Sequence, residues 1–236
     1  MTRHTLLFLL FIVPYSIFGQ GMNEGSIIYN TIQIKTGDIT GSGFIIDLDS
    51  SLYLISAKHL FPGVTNKANV KFLVSMKGKW NSAEAVAHIH TDPLVDVIVL
   101  DLKKKENKPR TYGLTATGTS IAQNCFFIGF PLGIQLPAID TSRGLPTPLV
   151  KHAIVSGMIN ENGRTLILLD GHNNKGFSGG PVIVNNPPGS STPMNIIGIV
   201  SGFRKEDLEG DFAAQGNSGI MIVWSSDMVY QILKEQ

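Results

Sequence analysis

The chain has 236 residues, 43% of them hydrophobic, and a formal net charge of +1. This is enough apolar sequence to bury one large core or two small ones. With this near-neutral balance no basic face dominates, and nucleic-acid binding is not suggested. Strand-like runs greatly outnumber helix-like ones, which points to an all-β fold.

At the N-terminus, Arg3 and His4 precede the apolar run from Leu6 to Val13, and Gly19 and Gly21 follow as small residues for cleavage. The run is short for a membrane span and is followed by Pro14. Residues 1–21 are therefore expected to be a cleaved export signal, leaving no stable membrane anchor and an exported, periplasmic or secreted, mature chain. Cys125 is the only cysteine, so the mature chain forms no internal disulfide. Its neighbours Phe126, Phe127 and Ile128 mark it as a buried small hydrophobe rather than a reactive thiol.

Ser26 to Ile34 reads as a first strand. Gly43 to Ile46 and Leu52 to Ile55 follow, joined through Asp47 to Ser51. Ser56-Ala57-Lys58-His59 ends the second of these. Asn69 to Met76, Ala83 to His90 and the apolar run Val95 to Leu102 continue the pattern, with Asp96 embedded in the last. Lys103 to Arg110 is a solvated loop near a domain junction. A second set comprises Cys125 to Phe130, Val150 to Ile159 and Thr165 to Asp170, then Pro181 to Val184, Ile196 to Val200 and Ile220 to Trp224. Asn160 to Gly163 is a hairpin turn. Phe203 to Gly216 reads as a long mobile loop. Ser225-Ser226-Asp227 can cap a short final helix that carries Met228, Val229, Ile232 and Leu233.

The stretch that carries chemistry is Lys175-Gly176-Phe177-Ser178-Gly179-Gly180-Pro181. Small residues around Ser178 let backbone N–H groups approach a reacting oxygen. Gly-x-Ser-x-Gly also fits the elbow of α/β-hydrolases, and it fits an ordinary glycine turn. None of the six histidines, His4, His59, His88, His90, His152 and His172, follows Ser178, which removes the order Ser, acid, His. The order acid, His, Ser would need Asp47 or Asp49 and alternating strands and helices, which are lacking. His, Asp, Ser remains. His59 closes an apolar strand. Asp96 is a carboxylate in an apolar run that calls for a hydrogen-bonding partner, with Asp92 a competitor explained by a turn before Pro93.

These segments in order resemble the trypsin-like (chymotrypsin-fold) serine proteases, and among them the bacterial Deg/HtrA-type protease domains without a PDZ domain. The motifs are Gly41-Ser42-Gly43-Phe44, Ser56-Ala57-Lys58-His59, Asp96-Val97-Ile98-Val99-Leu100, Ile128-Gly129-Phe130-Pro131-Leu132-Gly133, the Ser178 stretch and Ser218-Gly219-Ile220. The resemblance implies two six-stranded antiparallel β-barrels and a short C-terminal helix. The first barrel would occupy 22–115, the second 116–236. It also implies a catalytic set of His59, Asp96 and Ser178, with the N–H groups of Gly176 and Ser178 as oxyanion hole and no metal or cofactor. Polypeptides would be the substrates, with His172, Ser201, Gly202 and Phe203 around the substrate side chain. An oligomer is compatible with it. Phe177 departs from the family, which commonly has Asp or Asn there, so activation by a newly cut N-terminal amine is not expected. The competing expectation is a catalytically silent relative that binds proteins in the same cleft.

Overall fold

A computed structural model describes residues 27–105, 112–139, 141–208 and 211–235. The expected export signal lies outside the described residues, as does the 106–110 part of the charged stretch.

Six strands close the first barrel: β1 (Thr31–Thr36), β2 (Ile39–Leu48), β3 (Ser51–Ser56), β4 (Asn69–Met76), β5 (Lys79–Ile89) and β6 (Ile98–Lys105). All neighbours are antiparallel, in the order β1-β2-β3-β6-β5-β4. The second sheet contains β7 (Tyr112–Leu114), β8 (Asn124–Gly129), β9 (Leu149–Glu161), β10 (Arg164–Asp170), β11 (Pro181–Asn185), β12 (Met194–Leu208) and β13 (Asp211–Ser225). A β11–β12 pairing joins the ends of the run β11-β8-β9-β10-β13-β12, and β7 adds to β12 in parallel. The fold is thus chymotrypsin-like, with a seventh strand supplied by the chain segment between the two barrels.

Turn chemistry sets the hairpins. Asp49 and Ser50 (φ 49° and 63°) link β2 to β3, and Asn162 and Gly163 (φ 53° and 75°) link β9 to β10. Paired positive φ values match the right-handed twist of the flanking strands. Ile32, Ile34, Leu54, Phe72 and Leu100 fill the first barrel, and Cys125, Phe127, Val155, Leu169 and Phe177 the second. A third cluster lies between the barrels. There Phe44, Ile46, Val97 and Val99 meet Ile128, Ile199 and Trp224, and helix α2 (Asp227–Lys234) adds Met228, Val229 and Ile232. Each such side chain contributes about 1.5–3 kcal/mol of burial, so the cleft between the barrels rests on a packed floor.

Cys125 is buried, its Sγ–H faces the Ala153 carbonyl at 3.4 Å, and burial pushes its pKa up to about 12, as a structural thiol requires. Four local expectations are corrected. The first strand begins only at Thr31, because Ile27–Asn30 form a helical turn (α1) closed by a Thr31 Oγ1–H bond to the Ile27 carbonyl (2.8 Å). Residues 203–208 and 211–216 are not a loop. They extend β12 and β13 as a ribbon, with Lys205 opposite Asn217 and Asp207 opposite Gln215. Asp96 precedes β6 rather than lying inside a strand. The Ser226 side chain does not cap α2; Ser225 Oγ accepts the Asp227 N–H at 3.2 Å instead.

Candidate active site

His59 sits in a one-turn 3₁₀ helix, Lys58–Leu60, just beyond β3. Its Nδ1–H donates to Asp96 Oδ2 at 2.7 Å, and its backbone N–H donates to Asp96 Oδ1 at 2.7 Å. The carboxylate thereby fixes both the ring tautomer and the backbone that carries the ring. Ser201 Oγ donates a third bond to Asp96 Oδ2, at 2.5 Å. Burial raises the pKa of Asp96, but the bond from His59, the charge of His59, the Ser201 hydroxyl and the His59 N–H together outweigh it. The carboxyl is held below its usual range. A depressed pKa stabilises the fold at neutral pH, and that contribution is lost only as pH falls through the lowered value.

Ser201 also reaches the nucleophile candidate: its carbonyl accepts from Ser178 Oγ at 3.2 Å. One residue therefore touches both Asp96 and Ser178. It can do so because the β12–β13 register shifts between Val200 and Gly202, leaving Ser201 out of the ladder. Among the described residues, the Ser178 hydroxyl makes this bond and none to His59.

The turn around Ser178 is held by its carbonyls. Every carbonyl from His172 to Ser178 accepts a hydrogen bond. The donors are, in order, Lys151 Nζ, Asn217 Nδ2, Phe177 N (3.2 Å), Leu132 N (2.7 Å), Ser42 Oγ (2.6 Å), Gly180 N (2.8 Å) and Ser42 N (2.8 Å). In a trans peptide the N–H of residue i+1 points opposite to the C=O of residue i. Engaging the Lys175 and Phe177 carbonyls therefore turns the Gly176 and Ser178 N–H groups the other way. Neither of those two N–H groups donates a hydrogen bond among the described residues. Two glycines make the close approach feasible. Gly176 has φ 106°, and a Cβ there would lie 2.2 Å from the Phe130 carbonyl oxygen; Gly179 has φ 82°, with the Ser42 carbonyl oxygen at 2.1 Å. Phe177 is fully buried against Phe127, with ring centroids 4.7 Å apart, and so anchors the turn in the second barrel.

The residues expected around a substrate side chain are less gathered. Gly202 and Phe203 are half-buried on β12, whereas the His172 ring is exposed and makes no hydrogen bond among the described residues. Asn173 beside it is 3% exposed, and its Oδ1 has no partner among the described residues. An open cleft of about 360 Å³ flanks His59, lined by Lys58, Phe61, Pro62, Gly63, Val64, Pro93 and Asp96. Asp92 has the turn role expected of it, accepting the Leu94 N–H at 2.8 Å, and it also pairs with Arg164 of the second barrel at 2.5 Å. The segment before it is held by Glu235, just after α2, which accepts from Thr91 N at 3.0 Å and faces His90 Nε2 at 3.3 Å. Among the described residues no three His, Cys, Asp or Glu side chains come together as a metal site.

Ser42 is the contact that residue chemistry alone did not single out. Its only sequence signal is a serine between two glycines in an apolar strand. Buried on β2, it donates to the Gly176 carbonyl and accepts from Phe130 N at 3.0 Å. It ties the first barrel to the Ser178 turn.

The sequence profile of the trypsin-like peptidase domain matches residues 41–215. The chain belongs to this family, the trypsin-like peptidases. Among similar solved structures is the inactive form of the Rv3671c protease of M. tuberculosis, at 20% identity and TM-score 0.55, covering 89% of this chain and 89% of that one. The HtrA-type protease AlgW with a tripeptide is similar at 20% identity and TM-score 0.57, over 88% of this chain and 60% of that one. The serine endoprotease from Yersinia pestis follows at 19% and 0.57, over 89% and 63%. At such identities the likeness is one of fold, and the chain spans less than two thirds of the length of the last two. Comparison with curated protein sequences gives no significant match.

Replacing Ser42 with Ala leaves a buried N–H and a buried carbonyl without their partner. The expected loss of stability is about 2–4 kcal/mol, read by urea unfolding, because each unsatisfied buried group costs about 1–3 kcal/mol. A change below about 0.5 kcal/mol would contradict this role for Ser42.

Proposed function

We propose that this chain is an exported endopeptidase that cuts polypeptides through His59, Asp96 and Ser178 and an acyl-enzyme intermediate. In this reading Ser178 Oγ, rotated from the Ser201 carbonyl toward His59, attacks the scissile carbonyl as His59 Nε2 takes its proton. Asp96 holds the ring and stabilises the imidazolium. The Gly176 and Ser178 N–H groups receive the oxyanion, and His59 returns the proton to the leaving amine. Water, activated by the same imidazole, then releases the acyl group. The observation that carries the reading is the pair of unbonded N–H groups on either side of Phe177, on a turn whose serine shares Ser201 with Asp96. Phe177 carries no charge for a new N-terminal amine to pair with, which supports competence without that activation route.

A catalytically silent binding module is the second reading. The Ser178 hydroxyl bond to Ser201 rather than to His59 favours it. A fluorophosphonate probe separates the two: the proposed enzyme is labelled on Ser178, and the silent module is not. Ser178→Ala and His59→Ala are expected to lower turnover by on the order of 10⁶, and Asp96→Asn by about 10⁴. Activity lost in Asp92→Asn but kept in Asp96→Asn would reassign the acid.

Export rests on the first 21 residues, with their basic start, apolar run and small residues. The expected mature terminus lies near Gln20 or Met22. N-terminal sequencing of soluble mature protein that still carries Met1 or Thr2 would exclude it.

Cleavage is proposed to follow small or medium uncharged side chains such as Val, Ala or Leu. Burying a substrate cation without a carboxylate is costly, and Asp170, the nearest acid in sequence, is exposed at the end of β10. A peptide-library digest reads this directly. Dominant cleavage after Lys or Arg would sink it, and dominant cleavage after Glu would assign the pocket to His172 instead.

A further inference from the structure

The seven carbonyl contacts that hold the Ser178 turn come from backbone or neutral side-chain donors, with one exception. Lys151, on β9, is the single cation among them. Its position in the ladder is opposite Phe127 on β8, well away in sequence from the turn. The ammonium of this half-buried residue donates to the His172 carbonyl and to Asn174 Oδ1 at 3.4 Å. It also lies 5.7 Å from the ring centroid of Phe127 and 5.9 Å from that of Phe177. These distances fall within the range of cation–π attraction. The two rings meet edge to face, so the cation is shared between them.

We propose that Lys151 is a positioning residue, a built-in cation that holds the segment from His172 to Phe177 so that Gly176 and Ser178 turn their N–H groups to the cleft. This rests on the reading of those two groups as the oxyanion hole. The mechanism is geometric. One end of the segment is tied through the His172 carbonyl and the Asn174 side chain, and the other through the Phe177 ring. Asn174 in turn accepts the Phe177 N–H at 3.2 Å, closing the loop on itself. A single charged group therefore bridges three points of a turn in which the residue next to Ser178 is apolar. Burial lowers the pKa of the amine.

The test compares Lys151→Met, which keeps the apolar stem without the charge, with Lys151→Arg, which keeps the cation, its donors and its affinity for ring faces. Two readouts are taken: peptide hydrolysis, and amide hydrogen exchange of the 172–178 segment. Lys151→Met is expected to lower kcat by about 10²-fold, the scale of a small misplacement of catalytic groups, with KM within about threefold. Exchange of the segment rises while the melting temperature stays near that of the wild type. Lys151→Arg is expected to recover both readouts to within about tenfold of the wild type. The inference is overturned if the Met variant leaves kcat and exchange unchanged. It is equally overturned if the Met and Arg variants lose activity together with melting temperature, since that marks packing alone. A wild-type chain that fluorophosphonate does not label would refute the enzymatic reading. The exchange measurement would then judge the positioning role by itself.

Discussion

Consecutive carbonyls of a tight turn, each taken by a donor from within the turn or from a distant part of the fold, are the constraint on which the rest of the site depends. A peptide plane has two ends. Fixing the oxygen end of the planes before Gly176 and Ser178 aims their hydrogen ends without any contact to them. In the proposed mechanism this pair receives a developing negative charge, so it has to be left unoccupied in the resting protein and cannot be held directly. The fold resolves this by holding the other side of each plane. Leu132 and Gly180 supply the two decisive bonds, and Ser42 fixes the flanking planes from the opposite barrel.

Asp96, the acid of the proposed mechanism, follows a different logic. Asp96 is held by charge-assisted hydrogen bonds to a side chain, a hydroxyl and a backbone N–H, all converging on two oxygens. Such convergence keeps a partly buried carboxylate ionised and locks the imidazole orientation at once. The two halves meet at Ser201, whose hydroxyl serves the acid and whose carbonyl holds the serine. Its place in a strand irregularity makes it a joint between them. The site is therefore assembled across the barrel interface, and the apolar cluster beneath keeps the two contributions in register.

Much of this was legible in the sequence, for physical reasons. The strands announced themselves through apolar runs and turn residues. The order of His59, Asp96 and Ser178 in the chain excludes other arrangements, and Asp96 and His59 do pair. What was hidden depends on contacts distant in sequence. Nothing local tells that Ser42 reaches Gly176, 134 positions away, or that Lys151 lies against Phe177. The stretch after Phe203 looked like a loop because it is charged and contains glycine. It is a ribbon because both of its strands find partners in each other, a pairing that composition does not reveal. Ser201 read as a pocket wall, and only the register shift exposes its two additional contacts.

The attachment of Glu235 to His90 and Thr91 carries a consequence for how the molecule comes apart. Terminal turns of helices are among the least costly segments of a protein to open. Here such a turn grips the strand end that leads into Asp96, and Arg164 grips the next residue. Fraying of the last turn of α2 is thereby coupled to Asp96 through five residues of chain. On gentle heating, the approach to Asp96 would loosen while both barrels are still closed. The earliest sub-global unfolding event would reach the Asp96–His59 pair before it reached the core.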